Sequence, residues 1–343
     1  MEFWGYVREN GKVGARNYVG IIPCVTCAND VALAINRQVL GTVTFLHHQG
    51  CCQLPPDLER VTDTLANIGC SPNLAAVLLV SLGCEGTDTE KMMMEIAATG
   101  KRVEIIRIQE LGGVSKAIQK GIDIARKLVI ATSGQLRQLV SGKEIIMSIK
   151  CGASDTTSGM ASNCVIGQVA DRLVEHLLAK RMISEEGKKK LFEIVNRMED
   201  RAKSMGCDMR KGQPTPGNIK GGLSSIEEKS LGAIVKSGTK PIQGILEYPE
   251  KIIAQKGLWI KDTPGREPEI LTGMAATGAQ VMMFSTGRGA PQGFPSMPVI
   301  KICGNPNTFE HLQDDMDLNA GRIINGTKTL EEVTEEAIDI LVK

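Results

Sequence analysis

The sequence predicts an α/β protein made of two Rossmann-like domains with mainly parallel sheets, the second less regular than the first. Three observations predict it. Short apolar runs alternate with segments of helical spacing through the first 150 residues, the pattern of strands joined by crossover helices. The run Leu74–Leu82 is apolar at nearly every position, as a strand covered on both faces must be. Glycine is abundant, with 37 residues, which suits many tight strand-to-helix turns near a ligand.

In chain order, Asn17–Cys24 is an apolar run and reads as the first strand, followed by helical spacing over Cys27–Leu40. Thr42–Leu46 is a short strand, Asp57–Ile68 a helix, Leu74–Leu82 a buried strand and Thr87–Ala98 a helix. Arg102–Ile108, Gly113–Thr132 and Glu144–Ile149 continue as strand, helix and fifth strand, closing a first domain over 1–150. A second domain, 151–343, follows. Its helices are expected at Gly159–Glu175, Ser184–Met205, Ser225–Val235, Glu269–Thr277, Thr308–Asp315 and Leu330–Leu341. Its strands are expected at Gly257–Lys261, Gln280–Ser285 and Pro298–Cys303, and Lys211–Gly222 is rich in turn residues.

The 343 residues carry a net charge of +1, and aromatic residues make up 3%, so neither a basic nucleic-acid surface nor a base-stacking platform is expected. No apolar run reaches the ~18 residues of a membrane span, and the first residues lack a secretion signal. A cytoplasmic protein with reduced thiols is expected from this.

The cysteines are placed in a way that suggests chemistry. Cys24 closes the first strand, Cys27 opens the first helix, and Cys51 and Cys52 follow the second strand in a stretch that includes His47 and His48. Cys84 closes the third strand beside Glu85, and Cys151 closes the fifth. In an open parallel sheet the strand carboxyl ends share one edge, where ligands bind. Thiolate and imidazole together suit iron or zinc. Single cysteines also pack as small hydrophobes, the reading given to Cys70, Cys164, Cys207 and Cys303, while Cys24 and Cys27 form a lone CxxC that would serve a redox pair.

Ser285–Gly293 follows a strand and is rich in glycine. Pro291, Pro295 and Pro298 prevent a helix from opening there, so the loop reads as an anion cradle of backbone amides with Arg288, or as a plain turn. Lys229, after the rigid loop Pro214–Gly222 with its Asn218, is a candidate base or carboxylate clamp, or a solvated helix charge. Ser154 and Asp155 follow Cys151, and Arg16 and Asn17 precede the first strand, where an arginine can grip a carboxylate.

Together these segments resemble the catalytic domain of the altronate/galactarate dehydratase family. The similar stretches run from Gly5 to about Gly326 and include HHQGCC, VSLGCEG, IKCGASDTTSGMASN, TPGNIKGGLSSIEEKSLG and FSTGRGAPQG. The resemblance is strongest to stand-alone large subunits such as those similar to sulfolactate sulfo-lyase. It implies a metal-dependent lyase acting on a sugar acid or related hydroxy-carboxylate by proton abstraction and β-elimination, with sulfite as the alternative leaving group. It also implies ferrous iron, with an iron–sulfur cluster or another divalent metal as alternatives. Carried over, the family motifs fall on His47, Gly50 and Cys51, on Cys84 and Glu85, on Cys151, Gly152, Ser154 and Asp155, and on Thr286, Gly287, Arg288 and Gly289. The expected metal ligands are therefore His47, Cys51, Cys84, Cys151 and Cys27. The expected catalytic groups are Lys229, His47 and Glu85, and the expected substrate contacts are Arg16, Asn17, Ser154, Asp155, Asn218 and Thr286–Gly289. A small β-rich subunit on a separate chain and a homo-oligomeric assembly are expected partners. The chain departs from the family between Glu175 and His176, where roughly 20 further residues are usual, about one strand-plus-turn unit. A thiol oxidoreductase and an inactive scaffold subunit are the rival readings.

Overall fold

A computed structural model of the chain describes residues 2–173, 182–208, 212–252 and 256–342. The first part runs β1 (Glu2–Val7), β2 (Val13–Gly14), β3 (Tyr18–Pro23), α1 (Asn29–Gln38), β4 (Thr42–Thr44), α2 (Pro55–Cys70), β5 (Leu74–Ser81), α3 (Thr89–Ala97), β6 (Arg102–Arg107), α4 (Val114–Ser133) and β7 (Gln138–Ser141). Strands β4-β3-β5-β6 form one parallel sheet. Strand period decides its two cores. Ala76, Leu78 and Val80 of β5 pack with Val31 and Ile35 of α1 and Leu128 of α4. Val77 and Leu79 point the other way, against Leu65 and Ile68 of α2 and Met92 and Ile96 of α3.

The second part runs β8 (Met147–Cys151), α5 (Asn163–Leu173), α6 (Glu185–Ser204), α7 (Pro216–Lys220), α8 (Ile226–Val235), β9 (Ile242–Leu246), β10 (Leu258–Lys261), α9 (Glu267–Ala276), β11 (Val281–Thr286), β12 (Val299–Cys303), α10 (Pro306–His311), β13 (Leu318–Asn319) and α11 (Leu330–Val342). Strands β13-β12-β11-β8 form a second parallel sheet, and β10-β9 a separate parallel pair. One face of the larger sheet packs Met283, Ile300 and Ile302 on Val165 and Val169 of α5 and Val333 and Ala337 of α11. The other packs Met282 and Phe284 on Leu271 and Ala275 of α9. The α/β class expected from the sequence is the class observed.

Several elements differ from expectation. The strand expected to finish the first sheet is β8, and it pairs with β11 in the second sheet. It is the edge strand there, with alternating burial, beside β11, which is buried along its whole length. An antiparallel sheet β2-β1-β7 was not anticipated, because Glu2–Val7 pairs with Gln138–Ser141 across more than a hundred residues of chain. The turn-rich stretch before α8 contains α7, opened by Pro216 and a reciprocal Thr215–Asn218 capping box. The expected helix over Gly159–Glu175 begins as a π-helical turn at Ser158–Ser162. Its last residues, and the departure between Glu175 and His176, lie outside the described residues. No described helix is long and apolar enough to cross a membrane.

Two buried amides stitch the parts together. Asn73 donates to the carbonyls of Gln280 at 2.9 Å and Ser296 at 2.7 Å, and Gln280 donates to the Val13 carbonyl at 2.6 Å. The Phe45 and Phe294 rings meet beside this seam, with centroids 5.8 Å apart.

Lys101 supplies a stability test. Its ammonium donates to the carbonyls of Gly69 at 2.9 Å and Ser71 at 2.5 Å at the end of α2. Burial pulls its pKa down from 10.5 to about 7. At pH 8 the unfolded chain therefore holds this proton and the folded chain largely does not. Stability should rise with pH between about 7 and 10.5, and the unfavourable contribution is complete below about pH 7. Relative to Lys101→Met, the wild type should gain up to about 1.4 kcal/mol per pH unit between pH 7 and 9 in urea unfolding. A stability difference that stays flat across that range contradicts the account.

Candidate active site

The carboxyl edge of the second sheet gathers the polar residues of the loops after β8, β11 and β12. The loop after β8 turns through Ala153, a non-glycine residue at φ +45°. Such a backbone costs about 1–3 kcal/mol and persists only where its surroundings hold it. Here the Ala153 carbonyl accepts from the amides of Gly287 at 3.3 Å and Arg288 at 2.9 Å. The Gly289 amide donates to the Thr286 hydroxyl at 3.0 Å. The expected anion cradle of backbone amides is thus corrected: Gly287, Arg288 and Gly289 use their N–H groups to close the loop. The exposed Arg288 side chain donates through Nη1 to the Gly217 carbonyl at 3.0 Å.

Asp155 organises this edge. Buried at 3% exposure, it accepts from the Thr157 hydroxyl at 2.6 Å, the Ser158 amide at 3.1 Å, the Ser158 hydroxyl at 3.3 Å and Asn305 Nδ2 at 3.1 Å. A Cβ on Gly287 would sit 1.8 Å from Asp155 Oδ1, and one on Gly221 would sit 2.6 Å from Asp155 Cβ. Those two glycines let the carboxylate lie between two loops. Expected as a substrate contact, Asp155 instead has its acceptor capacity largely taken by the protein.

Lys229 of α8 is joined to the same loops through Asn218. The Asn218 side chain donates to the Ser154 carbonyl at 2.8 Å and accepts from the Thr215 hydroxyl at 2.8 Å and Lys229 Nζ at 2.8 Å. Lys229 donates a second time, to Gln213 Oε1 at 2.5 Å. Both acceptors are neutral. A neutral amine has two N–H bonds, which these acceptors satisfy, and one lone pair, which they leave free. Burial lowers the Lys229 pKa, opposed by the nearby Cys151 thiol.

A cavity of about 350 Å³ opens here, lined by Asp155, Thr157, Lys220, Arg288, Asn305 and Thr308 among others. Behind it, Phe284 lies between two buried lysines, with Lys150 Nζ 5.0 Å and Lys301 Nζ 4.3 Å from the ring centroid. Lys150 faces Glu267 at 3.7 Å. Lys301 donates to the carbonyls of Ala290 at 2.6 Å and Gln292, holding the loop that carries Arg288, and burial pulls it down to about 8. Sequence reasoning missed Lys150, Lys301, Lys220 and Asn305. A lysine inside an apolar strand, as in Val299–Cys303, was the available signal, because lysine is almost never buried without partners.

The cysteine-bearing loops lie on the other sheet. Loops after β3, β4 and β5 are laced by Thr26 N to Gln49 O at 2.9 Å, Gly86 N to Gly50 O at 2.9 Å and Thr87 Oγ1 to Cys24 O at 2.7 Å. The structure therefore brings Cys24, Cys27, His47, Cys51, Cys84 and Glu85 to one region, but not onto one point. His47 Nε2 donates to the Pro23 carbonyl at 2.8 Å, and its Nδ1 accepts from the Gln49 amide at 3.2 Å. Both ring nitrogens are therefore engaged with backbone in this arrangement. Burial also lowers the His47 pKa. Glu85 accepts from the Gly83 amide at 2.7 Å, and Cys84 accepts from Gln109 Nε2 at 3.4 Å. Cys51 and Cys52 are exposed, with their sulfurs 3.6 Å apart. Cys151 ends a strand of the second sheet. Among the described residues no three His, Cys, Asp or Glu side chains converge to hold a metal ion. The ligand set expected for iron, His47, Cys51, Cys84, Cys151 and Cys27, is not assembled in this arrangement. The CxxC reading loses its support as well: Cys24 is buried and burial raises its thiol pKa far above neutrality, whereas redox pairs depend on a low one.

Arg16 and Asn17 lie apart from the other expected substrate contacts. They precede β3, so they sit at the amino edge, about 20 Å of strand away from its carboxyl end. Asn17 accepts from buried Arg8 at 2.7 Å and donates to the Thr132 carbonyl at 2.9 Å, a structural use of both its polar atoms.

Parallel sheets with polar loops and a cavity gathered at one carboxyl edge are the arrangement in which α/β enzymes hold small ligands. Comparison with known proteins narrows that class to lyases. The D-galactarate/altronate dehydratase C-terminal model matches residues 142–343, and the D-galactarate dehydratase/altronate hydrolase second-domain model matches residues 5–133. The chain belongs to this family. It is 34% identical to the (2R)-sulfolactate sulfo-lyase subunit beta of Chromohalobacter salexigens, over 99% of this chain and 92% of that protein. It is 31% identical to altronate dehydratase of Bacillus subtilis, over 99% of this chain and 73% of that one. It is also 31% identical to galactarate dehydratase (L-threo-forming) of Escherichia coli, over 96% and 70%. The alignment with the sulfo-lyase subunit spans 362 residues, more than the 343 of this chain, so that relative carries residues this one lacks.

Proposed function

We propose that this chain catalyses β-elimination from a small hydroxy-carboxylate, a sugar acid or a related acid, as a carbon–oxygen lyase. The observation that carries the reading is Lys229, a partly buried amine held by two neutral acceptors, one of which, Asn218, bonds to the Ser154 carbonyl next to Asp155 of the cavity that Arg288 and Lys220 line. Arg288 binds the substrate carboxylate. The Lys229 lone pair takes the proton from the carbon next to that carboxylate, and Arg288 meets the negative charge that spreads onto it. The bond from the next carbon to the leaving group breaks with its electron pair. If hydroxide leaves, it departs as water with the proton that Lys229 took, and the enol ketonises to a 2-keto acid.

A carbon–sulfur version is the second reading, favoured by the 34% identity to a sulfolactate sulfo-lyase subunit. The proton removal is the same, sulfite leaves with the carbon–sulfur electron pair, and the enol ketonises to pyruvate. That relative is named as a subunit, so a separate small subunit is a proposed partner here, and a homo-oligomer is a proposed assembly. Iron is the cofactor the resemblance implies, although the described side chains do not present a preformed ligand set.

The test incubates the full chain with altronate, galactarate and sulfolactate in D2O, with and without ferrous iron. A 2-keto acid or sulfite is expected from at least one of them, together with solvent deuterium in recovered substrate. No product and no exchange from any, under either condition, contradicts the elimination reading.

A further inference from the structure

We propose that Lys220 and Arg288 form a two-cation clamp that selects substrates with a second anionic group, a dicarboxylate or a sulfo-carboxylate, over hydroxy-monocarboxylates. The inference rests on the elimination reading and names the substrate class of the same site.

The first support is the charge left uncommitted in the cavity. Lys220 and Arg288 line one space of about 350 Å³, near the lower end of small-ligand pockets. Among the described residues neither cation has a carboxylate partner: Arg288 has the neutral Gly217 carbonyl, and Lys220 has no hydrogen bond or ion pair. The carboxylate that shares the lining, Asp155, faces its own four donors and pairs with neither cation. The cavity therefore presents two positive groups and no exposed countercharge of its own.

The second support is the state of the neutral lining. A site built for a polyol chain offers uncommitted hydrogen-bonding groups to successive hydroxyls. Here the Thr157 hydroxyl donates to Asp155. Asn305 donates to Asp155 through Nδ2, and its Oδ1 accepts from the amides of Asn307 at 3.0 Å and Thr308 at 3.3 Å. Their polar atoms are already in use, which leaves the Thr308 hydroxyl as the neutral side-chain group of this lining without a hydrogen bond among the described residues, against two uncommitted cations. Recognition in this cavity is therefore by charge more than by counting hydroxyls. One carboxylate satisfies Arg288, whose planar fork suits it, and leaves Lys220 over. A second anionic group at the far end of a short substrate satisfies Lys220 as a point charge.

Calorimetric titration of the full chain with galactarate, sulfolactate and altronate tests this, alongside Lys220→Gln and Lys220→Arg. Lys220 is exposed at the end of α7, so neither variant disturbs the core. The wild type should bind the two dianions about ten-fold or more tightly than altronate, the scale of one charge-assisted bond. Lys220→Gln should abolish that preference by weakening the dianions alone, and Lys220→Arg should keep it. Equal affinity for all three, failure of both dianions to bind, or an equal weakening of all three in Lys220→Gln overturns the clamp. Elimination of all three at equal kcat/KM overturns the clamp and leaves the elimination reading standing. Selective dianion binding with no elimination from any of them supports the clamp and contradicts the elimination reading.

Discussion

Replacing Lys229 with alanine should lower kcat by about 10²–10⁴-fold, the usual contribution of a well-placed general base. Folding should survive, because Asn218 keeps its bonds to Thr215 and the Ser154 carbonyl when the lysine is gone. Arginine at this position should not restore the rate, since a guanidinium stays protonated and has no lone pair to offer. The wild-type pH profile supplies an independent check. Activity needs the neutral amine, so kcat/KM should climb with pH through the Lys229 pKa, and burial places that rise below the ordinary lysine value of 10.5. Single-turnover kinetics across pH, with thermal unfolding of the variant as a control, decides the matter. A Lys229→Ala enzyme that is folded and within a few-fold of wild type removes Lys229 from the chemistry.

Gly287→Ala should both destabilise the protein and silence it. The added methyl carbon would lie 1.8 Å from Asp155 Oδ1 and 2.1 Å from its Cγ. Asp155 has little freedom to retreat, with Gly221 on its other side and four donors on its oxygens. Overpacking of this kind costs about 1–3 kcal/mol, and each buried donor left without its acceptor costs about as much again. A fall of Tm by about 5–10 °C is expected. Activity should fall too, since Arg288 is the next residue along the displaced loop. Gly217→Ala is the control, because a Cβ there meets only the Thr215 hydroxyl, at 3.8 Å. If both variants melt together with the wild type, the packing described around Asp155 is wrong.

Much of the fold was legible because it depends on local pattern. Leu74–Ser81 could be recognised as a doubly covered strand from its own composition. Ser184 and Ser225 could be recognised as helix starts, and both cap their helices through side-chain oxygens. The antiparallel pairing of Glu2–Val7 with Gln138–Ser141 could not, since nothing in either segment names a partner so distant in the chain. The membership of β8 was hidden for the same reason: its sequence says that it is a strand and not which sheet it joins.

The candidate site divides along the same line. Residue type and motif were enough to bring Lys229, Asn218, Asp155 and Arg288 into the candidate set, and for Asp155 and Arg288 the position in strand-end loops at a carboxyl edge pointed the same way. Their roles were not readable. Whether a backbone amide is free, as expected of Gly287, or used to close a turn depends on the facing Ala153 carbonyl. Whether His47 has an open nitrogen depends on the Pro23 carbonyl and the Gln49 amide. The amino-acid sequence on its own determined the α/β class, the family and the pool of reactive side chains, since these follow from periodicity, motif and chemical type. Only the tertiary structure decided which of them share an edge, which are consumed by partners within the protein, and which charges are left unpaired, because hydrogen-bond capacity is settled by neighbours that lie far apart along the chain.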